Sequence, residues 1–222
     1  DRLASESVRF DACYCQNPLC VPSRYSMLTG KYSKSIGVYD NRHFFEAGQE
    51  TLPRVLTRAG YATCLIGKAH FNGEQFQGYS QRPYGDLFGQ AHQPNPSREA
   101  NGGESGLGDV LGASGPLEFP LAMSQTEICV AEAAKWLQVH ADLRADTPFF
   151  LSVNFDKPHF PMTPPKALYE KYEGRIAPYK IPEGFWDNAV PFIRHSIQAN
   201  GAYEHYGKDP EIHRRALAAY YG

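Results

Sequence analysis

The stretch Tyr61-Ala62-Thr63-Cys64-Leu65-Ile66 runs straight into Gly67-Lys68-Ala69-His70. The first part is short, apolar and β-prone, and its polar end marks the carboxyl end of a strand. Just upstream, Thr51 can cap a helix whose first position is near Pro53. Leu52, Val55, Leu56 and Ala59 give that helix one apolar face, and Gly60 ends it. Lys68 and His70, two apart in an extended segment, would point to the same side.

The same unit recurs later in the chain. Ser124 can cap a helix with Glu127 completing a capping box. Ile128, Ala131, Ala134, Trp136 and Leu137 form its face to about His140. Residues Thr147 to Phe155 then read as a buried strand that ends in Asp156-Lys157-Pro158-His159-Phe160-Pro161. A helix, a strand and a basic polar tip, twice over, predict an α/β fold with a mainly parallel central sheet flanked by helices.

Towards the N-terminus, Ser7 to Cys15 alternates loosely and is expected to be a strand or strand end that feeds a turn at Gln16-Asn17-Pro18. It would deliver Cys20 to a strand-to-helix junction, where open α/β sheets place their ligands. A helix is expected from Ser23 towards Gly30, with Pro22 in its first turn and the amides around Ser23 open to an anion. Arg24 adds a planar cationic fork suited to a tetrahedral oxyanion. Residues 31–48 read as loop. Residues 72–120, rich in Gly, Pro, Asn, Gln and Ser, read as a loop-rich insertion shaping the mouth of a pocket. Short helices are expected over 166–172 and 210–221, with no pattern over 175–192.

Composition excludes several partners. The formal net charge of -2 provides no basic patch for nucleic acid, and no run approaches the length of a membrane span. The 222 residues, 42% hydrophobic and 21% charged, are ordinary for a globular protein. The chain begins at Asp1 rather than Met, as a mature or clipped form would. Its five cysteines show no disulfide framework. A zinc site from Cys13, Cys15, Cys20 and His43 lacks the paired-knuckle spacing that such sites use.

Cys20-Val21-Pro22-Ser23-Arg24-Tyr25-Ser26-Met27-Leu28-Thr29-Gly30 meets every fixed position of Cys-x-Pro-Ser-Arg-x-x-x-Leu-Thr-Gly. This pattern resembles the signature of the type I, formylglycine-dependent sulfatases of the alkaline phosphatase superfamily. Gly60 to His70 is similar to the family's Gly-Tyr-x-Thr…Gly-Lys-x-His segment. Pro148 to Pro161 is similar to its Pro-Phe-Phe-Leu…Pro-His-x-Pro segment, and Arg214 to Tyr221 to its Arg-x-x-Tyr-Tyr helix.

The resemblance implies hydrolysis of sulfate monoesters on a small molecule or glycan. Cys20, oxidised to formylglycine by the formylglycine-generating enzyme and then hydrated, would be the nucleophile. Arg24 would lie against the formylglycine hydroxyl and the metal, Lys68 would hold a sulfate oxygen, and His70 would sit beside the hydroxyl. His159 would protonate the leaving group, and Lys157 could join as a second anion contact. A calcium or magnesium ion is implied, bound by formylglycine and by two acidic pairs. Neither pair occurs here in matching context, and Asp40-Asn41 stands too early in the chain for one. The other metal ligands are therefore expected outside this chain, which reads as residues 1–222 of a partial catalytic domain. By the same resemblance a periplasmic, secreted or lysosome-like compartment is expected. A phosphonate or phosphodiester hydrolase of the superfamily and a non-catalytic anion-binding relative are the rival readings.

Overall fold

β1 (Ala62–Gly67) is the middle strand of a three-stranded, all-parallel sheet, flanked by β2 (Gln81–Tyr84) and β3 (Phe149–Asn154) in the order β2-β1-β3. The structure is a computed structural model that describes residues 2–71, 76–85, 114–177, 180, 182–199 and 210–222. β1 and β3 pair in continuous register from Ala62 opposite Phe149 to Gly67 opposite Asn154. Their carboxyl ends, and hence Lys68 and the turn after Asn154, therefore emerge together.

Alternation along β1 divides the core between two faces of the sheet. Leu65 points to a cluster built from Val21, Tyr25 and Leu28 of α2 (Cys20–Thr29) together with Val38, Phe45, Phe71 and Tyr79. Tyr25 stacks on both Phe45 and Phe71 there. Cys64 and Ile66 point the other way, to Tyr84 and to Cys129 on α5 (Gln125–Leu143). Burial pushes both thiols, Cys64 and Cys129, up to about 12, so neither is a reactive thiolate. A third cluster joins α6 (Lys166–Glu173) to α9 (Pro210–Tyr221) through Tyr169, Ala216 and Ala219. The α/β class with a mainly parallel sheet is thus what the chain forms.

Several local expectations are corrected. Residues 7–15 form no strand: Val8, Phe10 and Tyr14 are exposed, and no strand among the described residues pairs with them, while the first described helix, α1, is Arg2–Ser5. The loop expected at 31–48 contains α3 (Ser33–Ile36), closed by a left-handed Gly37. β2 lies inside the stretch read as loop; of residues 72–120 only 76–85 and 114–120 fall among those described, so its role at a pocket mouth lies outside them. The segment 175–192 holds α7 (Phe185–Asn188) and the start of α8 (Pro191–Ala199).

Thr51 does cap α4 (Leu52–Arg58), accepting from the Arg54 amide, and Ser124 accepts from Glu127 N–H at the head of α5. The inward faces differ in part from those expected, although Ile128 and Trp136 of α5 do pack half-buried against the sheet. Pro53 is the buried residue of α4, while Leu52 and Val55 are exposed; on α5 the buried positions are Gln125, Cys129 and His140. β3, read as buried, is half-exposed along its length because among the described residues it has a neighbour on one edge only.

Candidate active site

Cys20 is itself the first residue of α2, three positions earlier than the sequence suggested, with Leu19 as an extended N-cap. Asn17 sets up this start by accepting the Leu19 amide through its side chain at 2.9 Å. The helix amides are less open than expected: Val21 N–H donates to Asn41 Oδ1 at 3.0 Å, Ser23 N–H donates to Leu19 O at 3.0 Å, and Pro22 has none. Ser23 faces a cavity of about 680 Å³ lined also by Cys13, Cys15, Met27 and Tyr32. The amides of Val21 and Ser23 are therefore not free to cradle an anion, as the sequence suggested they would be.

Arg24, one turn after Cys20, reaches the tip of β1. Its Nη1 donates to Lys68 O at 3.0 Å, and the same carbonyl accepts from Asn154 Nδ2 at 2.9 Å. Lys68 N–H in turn donates to Asn154 O at 2.9 Å. Three elements, α2, β1 and β3, are thereby tied at one peptide. Gly67 is needed for this approach: its φ is +88°, and a Cβ there would stand 2.2 Å from Asn154 O and 2.8 Å from Cys129 Sγ.

Lys68 is only 2% exposed, so its ammonium is held within the strand-end cluster rather than on the surface. His70 is half-buried and adopts φ +53°, a left-handed conformation uncommon outside glycine, so 68–70 does not continue as extended chain. The side chains of Lys68 and His70 do not share one side by strand alternation; the turn, not the pleat, orients His70.

The turn after β3 carries the other basic pair. His159 N–H donates to Asp156 O at 2.8 Å, and its ring packs on Phe160. Burial, then the charge of Lys68, holds the imidazole pKa below its ordinary value; Phe160 O and Asp156 pull it back up and Lys157 lowers it again. Lys68 and His159, from separate strands, thus share one electrostatic site. Lys157 is turned elsewhere: its Nζ donates to Pro161 O at 3.0 Å and stands 3.7 Å from Asp156 Oδ2. It lines a cavity of about 340 Å³ with Glu127, Met162, Thr163 and Leu168. Burial lowers the Lys157 pKa, and Asp156 opposes that.

Asn41, Asn154 and Asp156 take part in these contacts. Asn154 left a weak signal in sequence, a polar residue closing an apolar strand, while the sequence offers Asn41 only with Asp40, as a pair too early in the chain for the metal. Asp40 beside Asn41 is occupied locally, its carboxyl held at about 2 by the Arg42 amide and then by the His43 ring. Among the described residues no group of three or more His, Cys, Asp or Glu could hold a metal ion, the Cys13, Cys15, Cys20 and His43 set included. No described helix is long and apolar enough to cross a membrane.

A parallel sheet with Lys68 and the turn holding His159 at its strand ends, tied through Arg24 to the helix that begins at Cys20, defines a protein of the α/β class. The chain belongs to the Sulfatase family, which it matches over residues 1–216. It is 45% identical over 93 residues to an N-acetylglucosamine-6-O-sulfatase of Bacteroides thetaiotaomicron, covering 42% of this chain and 16% of that protein. With a choline-sulfatase of Rhizobium meliloti it shares 30% identity across 99% of this chain and 44% of the relative. Among solved structures, a complex with D-glucosamine-2-N,6-O-disulfate superposes with a TM-score of 0.58 at 23% identity, covering 99% of this chain and 46% of that one. A phosphonate monoester hydrolase from Silicibacter pomeroyi superposes with a TM-score of 0.62 at 16% identity, covering 93% and 47%. These neighbours establish the alkaline-phosphatase-like sulfatase fold. The chain spans under half the length of the choline-sulfatase and of both solved structures.

Proposed function

We propose that this chain carries the nucleophile and the anion-binding wall of a sulfuric ester hydrolase that cleaves sulfate monoesters. The observation that carries the reading is the bond from Arg24, on the Cys20 helix, to Lys68 O at the tip of β1, because it ties the helix that begins at Cys20 to the strand end that carries Lys68. Cys20 is half-buried at the head of α2, accessible enough to be modified and to react. Converted to formylglycine by the formylglycine-generating enzyme and hydrated, it supplies a geminal diol, one hydroxyl to attack sulfur and one to expel sulfate.

The chain's own residues do the rest. Lys68, buried and cationic, holds a sulfuryl oxygen, and His70 orients the attacking hydroxyl. His159 donates its proton to the leaving alcohol, work that its lowered pKa confines to the acid side, where the ring is protonated. Arg24 keeps α2 and β1 in register and presents its charge near the nucleophile, while Lys157 contributes positive field from the adjoining cavity. The calcium or magnesium ion of the family is not fitted by the described residues, and no step here runs through it. Sulfated glycans are the substrate class favoured by the glucosamine sulfatase relative.

Phosphonate monoester hydrolysis is the second reading, favoured by the similarity in fold to the phosphonate hydrolase. The test is turnover of paired aryl sulfate and aryl phosphonate substrates by the full-length protein, with mass measurement of the tryptic peptide Phe10 to Arg24. An aldehyde at Cys20 and faster sulfate cleavage are expected. Faster phosphonate cleavage would replace the sulfatase reading, and an unmodified thiol from a host that has the modifying enzyme would remove the catalytic one.

A further inference from the structure

Asp156 follows β3 directly, and its side chain is 4% exposed. Its main chain is clamped: Asp156 N–H donates to Gln125 Oε1 at 3.1 Å, Gln125 Nε2 donates to Asn154 O at 3.3 Å, and Asp156 O accepts from His159 N–H at 2.8 Å. The carboxylate itself is poorly satisfied. Oδ2 stands 3.7 Å from Lys157 Nζ, beyond a good hydrogen bond, and Oδ1 is buried with no hydrogen-bond partner among the described residues. Burying a carboxylate this way costs several kcal/mol, which a neutral side chain of the same size would avoid.

The surroundings give that carboxylate a use. Lys68 after β1 and Lys157 and His159 after β3 put three basic groups at one end of the sheet, while Cys129 on α5 and Tyr84 on β2 flank Asp156 as groups that stay neutral. Glu127 and Lys157 both line the 340 Å³ cavity. We propose that Asp156 is a positioning residue for the leaving-group end of the site, a buried counter-charge that offsets part of the cost of holding His159 and Lys157 there as cations. This rests on the proposed role of His159 as proton donor. Geometry and field agree: Asp156 acts on Lys157 and His159 with the sign opposite to burial at both groups.

The test compares wild type, Asp156→Asn and Asp156→Glu in the full-length protein. Two quantities are read: the pH dependence of kcat/KM on an aryl sulfate, and the NMR titration of the His159 imidazole, assigned with His159→Gln. Losing the carboxylate at constant shape is expected to move both the alkaline limb and the His159 titration down by about one pH unit. Glu, which keeps the charge, is expected to restore most of that shift. A rate lowered equally at every pH, with the His159 titration unmoved, would overturn the proposal and leave Asp156 as a purely structural residue. If Asn does not fold, Asp156→Ser removes the charge with a smaller side chain and is read the same way. If wild type cleaves no sulfate ester, the proposed function fails, whereas the His159 titration still decides the part played by Asp156.

Discussion

At the scale of single residues, the site separates groups that react from groups that hold. Cys20→Ala in the full-length protein is expected to abolish sulfate turnover while leaving the circular dichroism spectrum unchanged, since the side chain is only half-buried and no core packing depends on it. Near-normal activity would refute the nucleophile assignment. Lys68→Met is expected to cost about 10²- to 10³-fold in kcat/KM, the usual loss when one preorganised donor is taken from a developing anion. For His159 the sign follows from its surroundings. Burial and Lys68 favour the neutral imidazole, so the protonated donor is present at low pH and is lost as pH rises through a pKa below histidine's ordinary value. The alkaline limb of kcat/KM in wild type is therefore expected below that value, and its disappearance in His159→Gln would identify the group. The place of Lys68 directly after β1, and of the basic turn holding His159 after β3, was legible in sequence because a β-prone run followed by a polar tip marks a strand's carboxyl end, whereas the roles proposed for them came from the family resemblance. Asp156 was not legible, since a carboxylate next to lysine in sequence looks like an ordinary solvated pair until its burial is known.

At the scale of elements, the closeness of β1 and β3 depends on one missing methyl group. Gly67 combines φ +88° with a virtual Cβ contact of 2.2 Å to Asn154 O, so alanine there meets both backbone strain and overlap. Gly67→Ala is expected to destabilise by about 2 to 4 kcal/mol, read as a lower denaturant midpoint with an unchanged slope. Activity should fall with it, because Lys68 is anchored to Asn154 by the next peptide. A midpoint within error of wild type would show that the strands separate freely there. Capping and strand signals were readable at this scale: Thr51 and Ser124 begin the helices where their chemistry says they should. Helix faces were not. The apolar residues of α4 point outwards and Pro53 inwards, and periodicity alone cannot tell a face buried against the sheet from one left for another surface. The N-terminal segment erred for a related reason, since alternation at 7–15 is only half of a strand and the other half is a neighbour to pair with.

For the whole molecule, the fold class was legible because helix, strand and tip recur in order, yet the pattern says nothing of what covers the sheet's outer edges. Among the described residues β2 and β3 each lack a second neighbour. Leu52 and Val55 on α4 and Val130, Leu137 and Val139 on α5 are each more than two-fifths exposed. Open parallel edges beside exposed apolar side chains form a surface that proteins normally cover. The relatives this chain matches are more than twice its length at comparable similarity, and its described residues assemble no cation site. The 222-residue polypeptide on its own is therefore expected to self-associate, read as a concentration-dependent rise in mass by light scattering. A monodisperse monomer at every concentration would contradict this, and would mean that residues outside the described set cover those edges.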